Sequence, residues 1–305
     1  VSNAAIVNAL NTTNVLVTTT NSIATGTAKG NITVTGDIIK TNSTVALTNL
    51  TLLANGSISV WSNIAATNNA SLGINLTADS GNKGNGSVIL AWNSSINTNG
   101  AALKIYANSA NMSNGSGIGT VEAITSNGQV TALNASSNIT GYAGVGMAGT
   151  NGNMAAVNFT NGNQTLWGTV YGQSASAWGV GFAGGNQTIN GTVTGSATCS
   201  SGTAGGAVTF FTGANTTING DLLGRGATQG VVFSGNALIN GNVTGSAISA
   251  LNGGGVGFTG AKQTIIGHVQ GVSVSALNNS QAVFFVGGNQ TITGNLDGSA
   301  LGSDG

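Results

Sequence analysis

The chain has 305 residues, of which 51 are Gly, none is Pro, one is Cys, and only six are basic and six acidic. Charged side chains are 4% of it, against about 25% in an ordinary globular chain, and Lys29, Lys40, Lys83, Lys104, Arg225 and Lys262 stand singly along its length, so no basic patch exists to hold a nucleic acid by its phosphates. Asp37, Asp79, Glu122, Asp221, Asp297 and Asp304 are equally scattered and His268 is alone, so paired-carboxylate or metal chemistry could arise only by convergence in three dimensions; no catalytic residue, metal ligand or cofactor is expected.

At the amino-terminal end no Met-initiated basic-then-apolar leader precedes Val1, as expected of a processed or internal segment. Neither terminus reads as an amphipathic helix or a charged cap. Residues 1–116 form a first region of irregular coils, written in short β-branched runs: Asn31-Ile-Thr-Val-Thr-Gly-Asp-Ile-Ile, Leu50-Thr-Leu-Leu-Ala-Asn-Gly-Ser-Ile-Ser-Val, Leu72-Gly-Ile-Asn-Leu-Thr-Ala-Asp, Gly86-Ser-Val-Ile-Leu and Asn99-Gly-Ala-Ala-Leu-Lys-Ile-Tyr-Ala-Asn. Asn-Gly and Gly-Asn turns punctuate them. The phrases GNITVTGDI, LTLLANGSISV, INLTADS with GSVIL, and INTNGAALKIYANS resemble the repeat region of two-partner-secreted exoproteins, the filamentous haemagglutinin-like and high-molecular-weight adhesins of Gram-negative bacteria. That resemblance covers about the first 115 residues. It implies a right-handed parallel β-helix, exported through an outer-membrane pore and displayed at the cell surface as a rod or fibre that meets a host-cell or surface glycan receptor. The family's amino-terminal secretion domain carries an Asn-Pro-Asn-Gly type motif, which a chain without Pro lacks.

After transitional coils over residues 117–158, one phrase recurs six times in residues 159–305: Thr165-Leu-Trp-Gly-Thr-Val-Tyr-Gly172, Thr188-Ile-Asn-Gly-Thr-Val-Thr-Gly195, Thr217-Ile-Asn-Gly-Asp-Leu-Leu-Gly224, Leu238-Ile-Asn-Gly-Asn-Val-Thr-Gly245, Thr264-Ile-Ile-Gly-His-Val-Gln-Gly271 and Thr291-Ile-Thr-Gly-Asn-Leu-Asp-Gly298. Apolar residues fall at every second position on both sides of the first glycine, the period of a half-buried strand. The glycines share that alternation, so they mark bends or close approaches of backbone. Eight or nine residues before each first glycine stand Phe159, Phe182, Phe211, Phe233, Phe258 and Phe285. Their recurrence in register predicts a stacked ladder in the core.

The first glycines are 21 to 29 residues apart, too close for propeller blades of about 40, and no heptads occur. The expectation is an all-β parallel β-helix of about 12 coils, each of roughly 25 residues. The absence of Pro fits, because each inner N–H has a ladder partner. The uneven links run from the second glycine to the next Phe, as over Ser196 to Phe210 and Ser246 to Gly257, which puts loops on one side of the rod.

Triplets Asn-x-Ser/Thr number 21, where chance gives about nine. Repeat copying generates some. Asn31, Asn42, Asn49, Asn55, Asn69, Asn75, Asn85, Asn93, Asn111, Asn134, Asn138, Asn163, Asn186, Asn190, Asn215, Asn242 and Asn289 are the candidate glycosylation sites, since some adhesins of the resembling family carry sugar at such triplets. Two other chemistries compete with a structural rod. Thr-x-Thr pairs at Thr33/Thr35, Thr192/Thr194 and Thr291/Thr293 raise ice binding, and the column Tyr171, Thr194, Leu223, Thr244, Gln270, Asp297 makes no Thr ladder. A polysaccharide lyase or hydrolase would need Asp221, Arg225 and Asp297 to converge. His268 reads as a solvated outward residue, and the lone Cys199 as inert, with pairing between chains as its alternative. The sequence therefore points to a non-enzymatic, secreted, structural or adhesive rod. Its partners would be other copies joined end to end, since open strand edges template pairing, or neighbouring coils of a longer chain.

Overall fold

The computed structural model describes residues 1–19, 30–41, 45–81, 86–91, 94–109, 124–126, 129–143, 155–159, 163–174, 178–198, 206–210, 215–248, 254–259, 262–274 and 281–301. Among them an amino-terminal helix, Asn3–Leu10, is followed by strands that pair in parallel with the strand one coil away. Each regular coil has three strands, as in Trp178–Phe182, Asn186–Asn190 and Val193–Ala197. Stacking these strands coil on coil gives a β-solenoid with three faces, called here the Phe face, the Asn face and the Gly face.

The Phe face is a single sheet of ten strands, running from Ile32–Val34 to Gln281–Val286. Among the described residues ten strands stack there rather than twelve, fewer coils than the spacing of the later repeats predicts. The reason lies in the early coils. The successive partners Ile32, Ile58, Val88, Ile124 and Val157 lie farther apart in sequence than Val157, Val180, Val208, Val231 and Val256. At about 4.8 Å per coil the stack is about 45 Å long.

The core is one continuous set of columns from Ile6 to Val269. On the Phe face, Phe159, Phe182, Phe210, Phe233, Phe258 and Phe285 stack with ring centroids 4.6 to 5.3 Å apart and planes within 4° to 14° of parallel. The third rung is Phe210, not Phe211 as the spacing to the glycine suggests. Val208 pairs with Val180 and Phe210 with Phe182, and the link from Phe210 to Asn215 is one residue longer than that from Phe182 to Asn186. Counting back from the glycine through a longer link lands one residue late. Phe211 itself lies outside the described residues. Phe285 is in the ladder but stands 46% exposed on the last coil.

Both glycine columns have a steric reason. The first glycine turns the corner between the Asn and Gly faces, with φ between +145° and +154° at Gly168, Gly191, Gly220, Gly267 and Gly294, backbone that a side chain disfavours. The second glycine sits where the Gly face presses on the Phe face: a Cβ on Gly195 would meet the carbonyl of Ala207, and one on Gly224 that of Gly230.

The helix corrects the expectation of bare termini. Ser2 caps it by accepting the N–H of Ala5 through Oγ at 3.3 Å, and Ile6 and Leu10, one turn apart, are buried. It packs on the first Asn-face strand, Ile38–Lys40, with further contacts to Val15–Thr18 and Leu47–Leu53. The hydroxyl of Thr48 donates to the carbonyl of Leu10 at 2.8 Å, fixing its last turn. Eight residues are too few for a stable helix in isolation. Burial of Ile6 and Leu10 against the first coil holds it.

Candidate binding face

The Asn face of the later coils is a regular outer surface. Its strands Asn186–Asn190, Asn215–Asn219, Asn236–Asn240, Lys262–Ile266 and Asn289–Thr293 stack in register above the first part of Gln164–Ser174. Alternation turns three columns outward. The first holds Asn163, Asn186, Asn215, Asn236, Lys262 and Asn289; the second Thr165, Thr188, Thr217, Leu238, Thr264 and Thr291; the third Trp167, Asn190, Asn219, Asn240, Ile266 and Thr293. These side chains are exposed or half-buried, and Trp167 is 44% exposed.

The amides bond along the columns. Asn215 Nδ2 donates to Asn186 Oδ1 at 3.4 Å and Asn236 Nδ2 to Asn215 Oδ1 at 2.9 Å. In the third column Asn219 donates to Asn190 at 2.5 Å and Asn240 to Asn219 at 2.6 Å. Between the first two columns runs a shallow groove of about 440 Å³, bordered by Asn186, Thr188, Asn215, Thr217, Asn236 and Lys262 among others. Lys262 is the one charge on its rim. Such a face offers donors and acceptors at regular intervals, methyl groups from Thr, and one indole at its edge.

The inward side of the same strands was not legible from apolar periodicity alone. Gln164, Gln187, Thr216, Ala237 and Gln263 form a buried column beside Leu166, Ile189, Ile218, Ile239 and Ile265. The Gln amides reach into the adjoining turn. Gln187 Nε2 donates to the carbonyl of Gly184 at 2.5 Å and Gln263 Nε2 to that of Gly235 at 2.9 Å. Their signal is the alternation itself: Gln187 and Gln263 precede Ile by two.

Corners are stitched by side chains that accept the N–H of the next coil. Asp221 Oδ1 accepts from Asn242 at 2.9 Å, Asn242 Oδ1 from His268 at 3.1 Å, and His268 Nδ1 from Asn295 at 3.2 Å. His268 is therefore exposed, as the outward column predicts, and also a link in a hydrogen-bonded corner. Asn31 and Asp37 do the same for Ser57 and Asn63 in the early coils, at 2.8 and 2.9 Å.

Of the glycosylation candidates, Asn31, Asn49, Asn69, Asn163, Asn186, Asn215, Asn242 and Asn289 are exposed, and Asn55, Asn75 and Asn190 are half-buried. Asn42, Asn85, Asn93 and Asn111 lie outside the described residues, as does Cys199, and the side chains of Asn134 and Asn138 are likewise outside them. Asp221 and Arg225 share a coil, while Asp297 lies three coils further on, or about 14 Å at 4.8 Å per coil. Arg225 stacks in register between Ser196 and Ser246. Among the described residues no three His, Cys, Asp or Glu side chains gather as a metal would need. A Thr column does exist, in Thr165, Thr188, Thr217, Thr264 and Thr291, three before the first glycine rather than three after it. Leu238 interrupts it, and side chains as unlike as Trp167, Lys262 and Ile266 flank it.

The buried cation is Lys40. Its side chain is wholly inside the first coil, where Nζ donates to the carbonyls of Val45, Ala46 and Ser71 at 2.8, 3.4 and 3.2 Å. Burial holds its pKa below the ordinary lysine value, because loss of water disfavours the charged form.

No family model, curated protein or solved structure matches the chain. What stands is a β-solenoid repeat protein, and a bacterial haemagglutinin-like origin gains no support from these comparisons.

Proposed function

We propose that this protein is a structural and adhesive β-helical rod, displayed outside a bacterial cell, whose Asn face makes contact with uncharged, hydroxyl-rich polysaccharide. The resemblance of the early coils to haemagglutinin-like repeats supplies the setting of secretion and surface display. The observation that carries the binding reading is the groove between the Asn and Thr columns, with Trp167 exposed in the third column of the same face, one coil before the groove. Amides and hydroxyls spaced by the coil repeat match the repeated hydroxyls of a glycan chain. An indole supplies an apolar ring face on which a sugar stacks. A face with one charge has no means to select an anionic polymer.

The test is binding of the purified chain to a panel of neutral and acidic polysaccharides. Neutral chains are expected to bind, with Trp167→Ala and the pair Asn215→Ala, Thr217→Ala each weakening binding at least tenfold, while Trp61→Ala, a still more exposed indole in an early coil, leaves it unchanged. Binding to acidic chains alone, or equal binding by all variants, would overturn the reading.

A further inference from the structure

The groove on the Asn face runs across the strands and not along them. Its banks are the first two outward columns, from Asn186 to Lys262 on one side and from Thr188 to Thr264 on the other, so four stacked coils set its length. Along a strand the surface lasts only five residues, as over Asn186–Asn190, before the chain turns at Gly191 with φ +154°. A polymer that follows the groove therefore lies parallel to the rod axis. It meets an equivalent set of groups once per coil, every ~4.8 Å.

The amide ladder has bonding capacity to spare. A primary amide has two N–H groups and an oxygen with two lone pairs. Asn215 spends one N–H on Asn186 Oδ1 and one lone pair on the Nδ2 of Asn236, which leaves one donor and one acceptor for a ligand. The same bonds fix the amides before a ligand arrives and so lower the ordering cost of binding. On the opposite bank Thr188, Thr217 and Thr264 bring hydroxyls, and Leu238, 37% exposed, brings an apolar surface.

From this spacing we infer, resting on the polysaccharide reading above, that the ligand is an uncharged β-1,4-linked glycan, such as a glucan or a mannan, lying along the axis with one sugar to a coil. Pyranose rings joined through equatorial bonds at C1 and C4 form an extended ribbon, and each ring advances it by slightly more than one coil. Successive rings are turned over about the ribbon axis, so opposite hydroxyl edges face the groove in alternation. An amide that keeps both a donor and an acceptor serves either edge. Glucans with α-1,4 or β-1,3 links wind into helices, whose rings do not recur at the coil spacing along a straight line. Because the ribbon's step is slightly longer than the coil's, the register drifts, and the match is confined to about the four coils of the groove.

Calorimetric titration with glucose oligomers of defined linkage tests the inference, because composition and charge are then held constant. The β-1,4 hexamer is expected to bind at least tenfold more tightly than the α-1,4 and β-1,3 hexamers. Within the β-1,4 series affinity is expected to rise up to about four sugars, one for each coil of the groove, and then to level off. The double variant Lys262→Ala, Thr264→Val strips the last coil of the groove and is expected to bring that plateau down by one sugar. Should circular dichroism show it unfolded, Asn186→Ala with Thr188→Val strips the first coil to the same effect. Equal or tighter binding of another hexamer, no binding of the β-1,4 hexamer by a chain that binds other neutral polysaccharides, an affinity indifferent to length from two sugars onward, or a plateau unmoved in the folded variants would each overturn the inference and leave the polysaccharide reading in place. If no neutral polysaccharide binds, both fall.

Discussion

The early and late coils build the same three faces from different side chains, and two of the substitutions are reciprocal. On the Asn face the column that begins Ile38, Ile64, Ile96 continues, through Val130, as Gln164, Gln187, Thr216, Ala237 and Gln263. The neighbouring column begins with Lys40 and Ala66 and continues as Leu166, Ile189, Ile218, Ile239 and Ile265. Each coil thus places one apolar and one polar or small residue there, and the order reverses along the stack. On the Gly face, Ala107 pairs with Gly141, which pairs with Gly172 and so on to Gly298. In the early coils, whose Phe-face column carries Val34, Val60 and Leu90, the same column is alanine, as in Ala54 and Ala78. In the later coils the glycines lie against Val180, Val208, Val231 and Val256, the column beside the rings. The two regions fill the same interior with different columns.

The ladder gives the largest expected contrast. Phe210→Ala removes a ring packed between two others and is expected to cost about 3–5 kcal/mol, whereas Val60→Ala at the equivalent place in an early coil loses a smaller side chain and costs less. Because each coil contacts only its neighbours, hydrogen exchange is the appropriate measurement: amides of Gln187–Asn190 and Gln229–Phe233 should lose protection while those of Leu47–Leu53 keep theirs. Equal costs in both regions would mean that the Phe ladder adds nothing to aliphatic packing.

A smaller contrast comes from the Gly face. Gly224→Ala drives a Cβ onto the carbonyl of Gly230 and to 2.7 Å from Val231 Cγ2, an overpacking cost of about 1–3 kcal/mol. The reverse change in the early coils, Ala78→Gly, meets no clash and is expected to cost the conformational entropy of glycine, about 0.5–1 kcal/mol, with the burial of one methyl, about 0.8 kcal/mol, since Ala78 is fully buried. Urea midpoints of the two variants compare them directly.

Lys40 gives the smallest effect at neutral pH and the most distinctive signature. Lys40→Met exchanges a buried ammonium for an apolar chain of similar length and is expected to change stability by about 1 kcal/mol or less at pH 7. The folded-state pKa lies below the ordinary lysine value of 10.5, so between those two values the unfolded chain binds more protons than the folded one. Wild-type stability therefore rises with pH across that window. Lys40→Met is expected to lack the rise; identical profiles would place the titration elsewhere.

The architecture was legible because apolar alternation has the period of a strand and a Phe recurs once per coil, and both signals survive variation in loop length. Spacing from the glycine points to Phe211 rather than Phe210 because two adjacent Phe precede a longer link, and pairing with Phe182 decides between them. The helix was missed for a different reason: eight residues with Ile6, Val7 and Leu10 carry too little periodicity, and what stabilises them is the first coil. Lys40 and the Gln column were hidden because a search for apolar residues passes over polar ones, although Ile38-Ile39-Lys40 and Gln187-Thr188-Ile189 obey the same alternation. The groove needed the register of four strands, which spacing alone gives for the phrase from Thr to Gly but not for the Asn two residues before it.

The stitched corner bears on how such a chain changes over time. Asp221, Asn242 and His268 occupy one position with three chemistries, and all that the next coil requires is an acceptor atom for its N–H. A duplicated coil carries its own acceptor and its own N–H, so it joins its new neighbours on both sides by bonds already present in the parent. The unit that recombination can add or delete without loss of any corner bond is therefore one whole coil, and single-residue insertions are confined to the links.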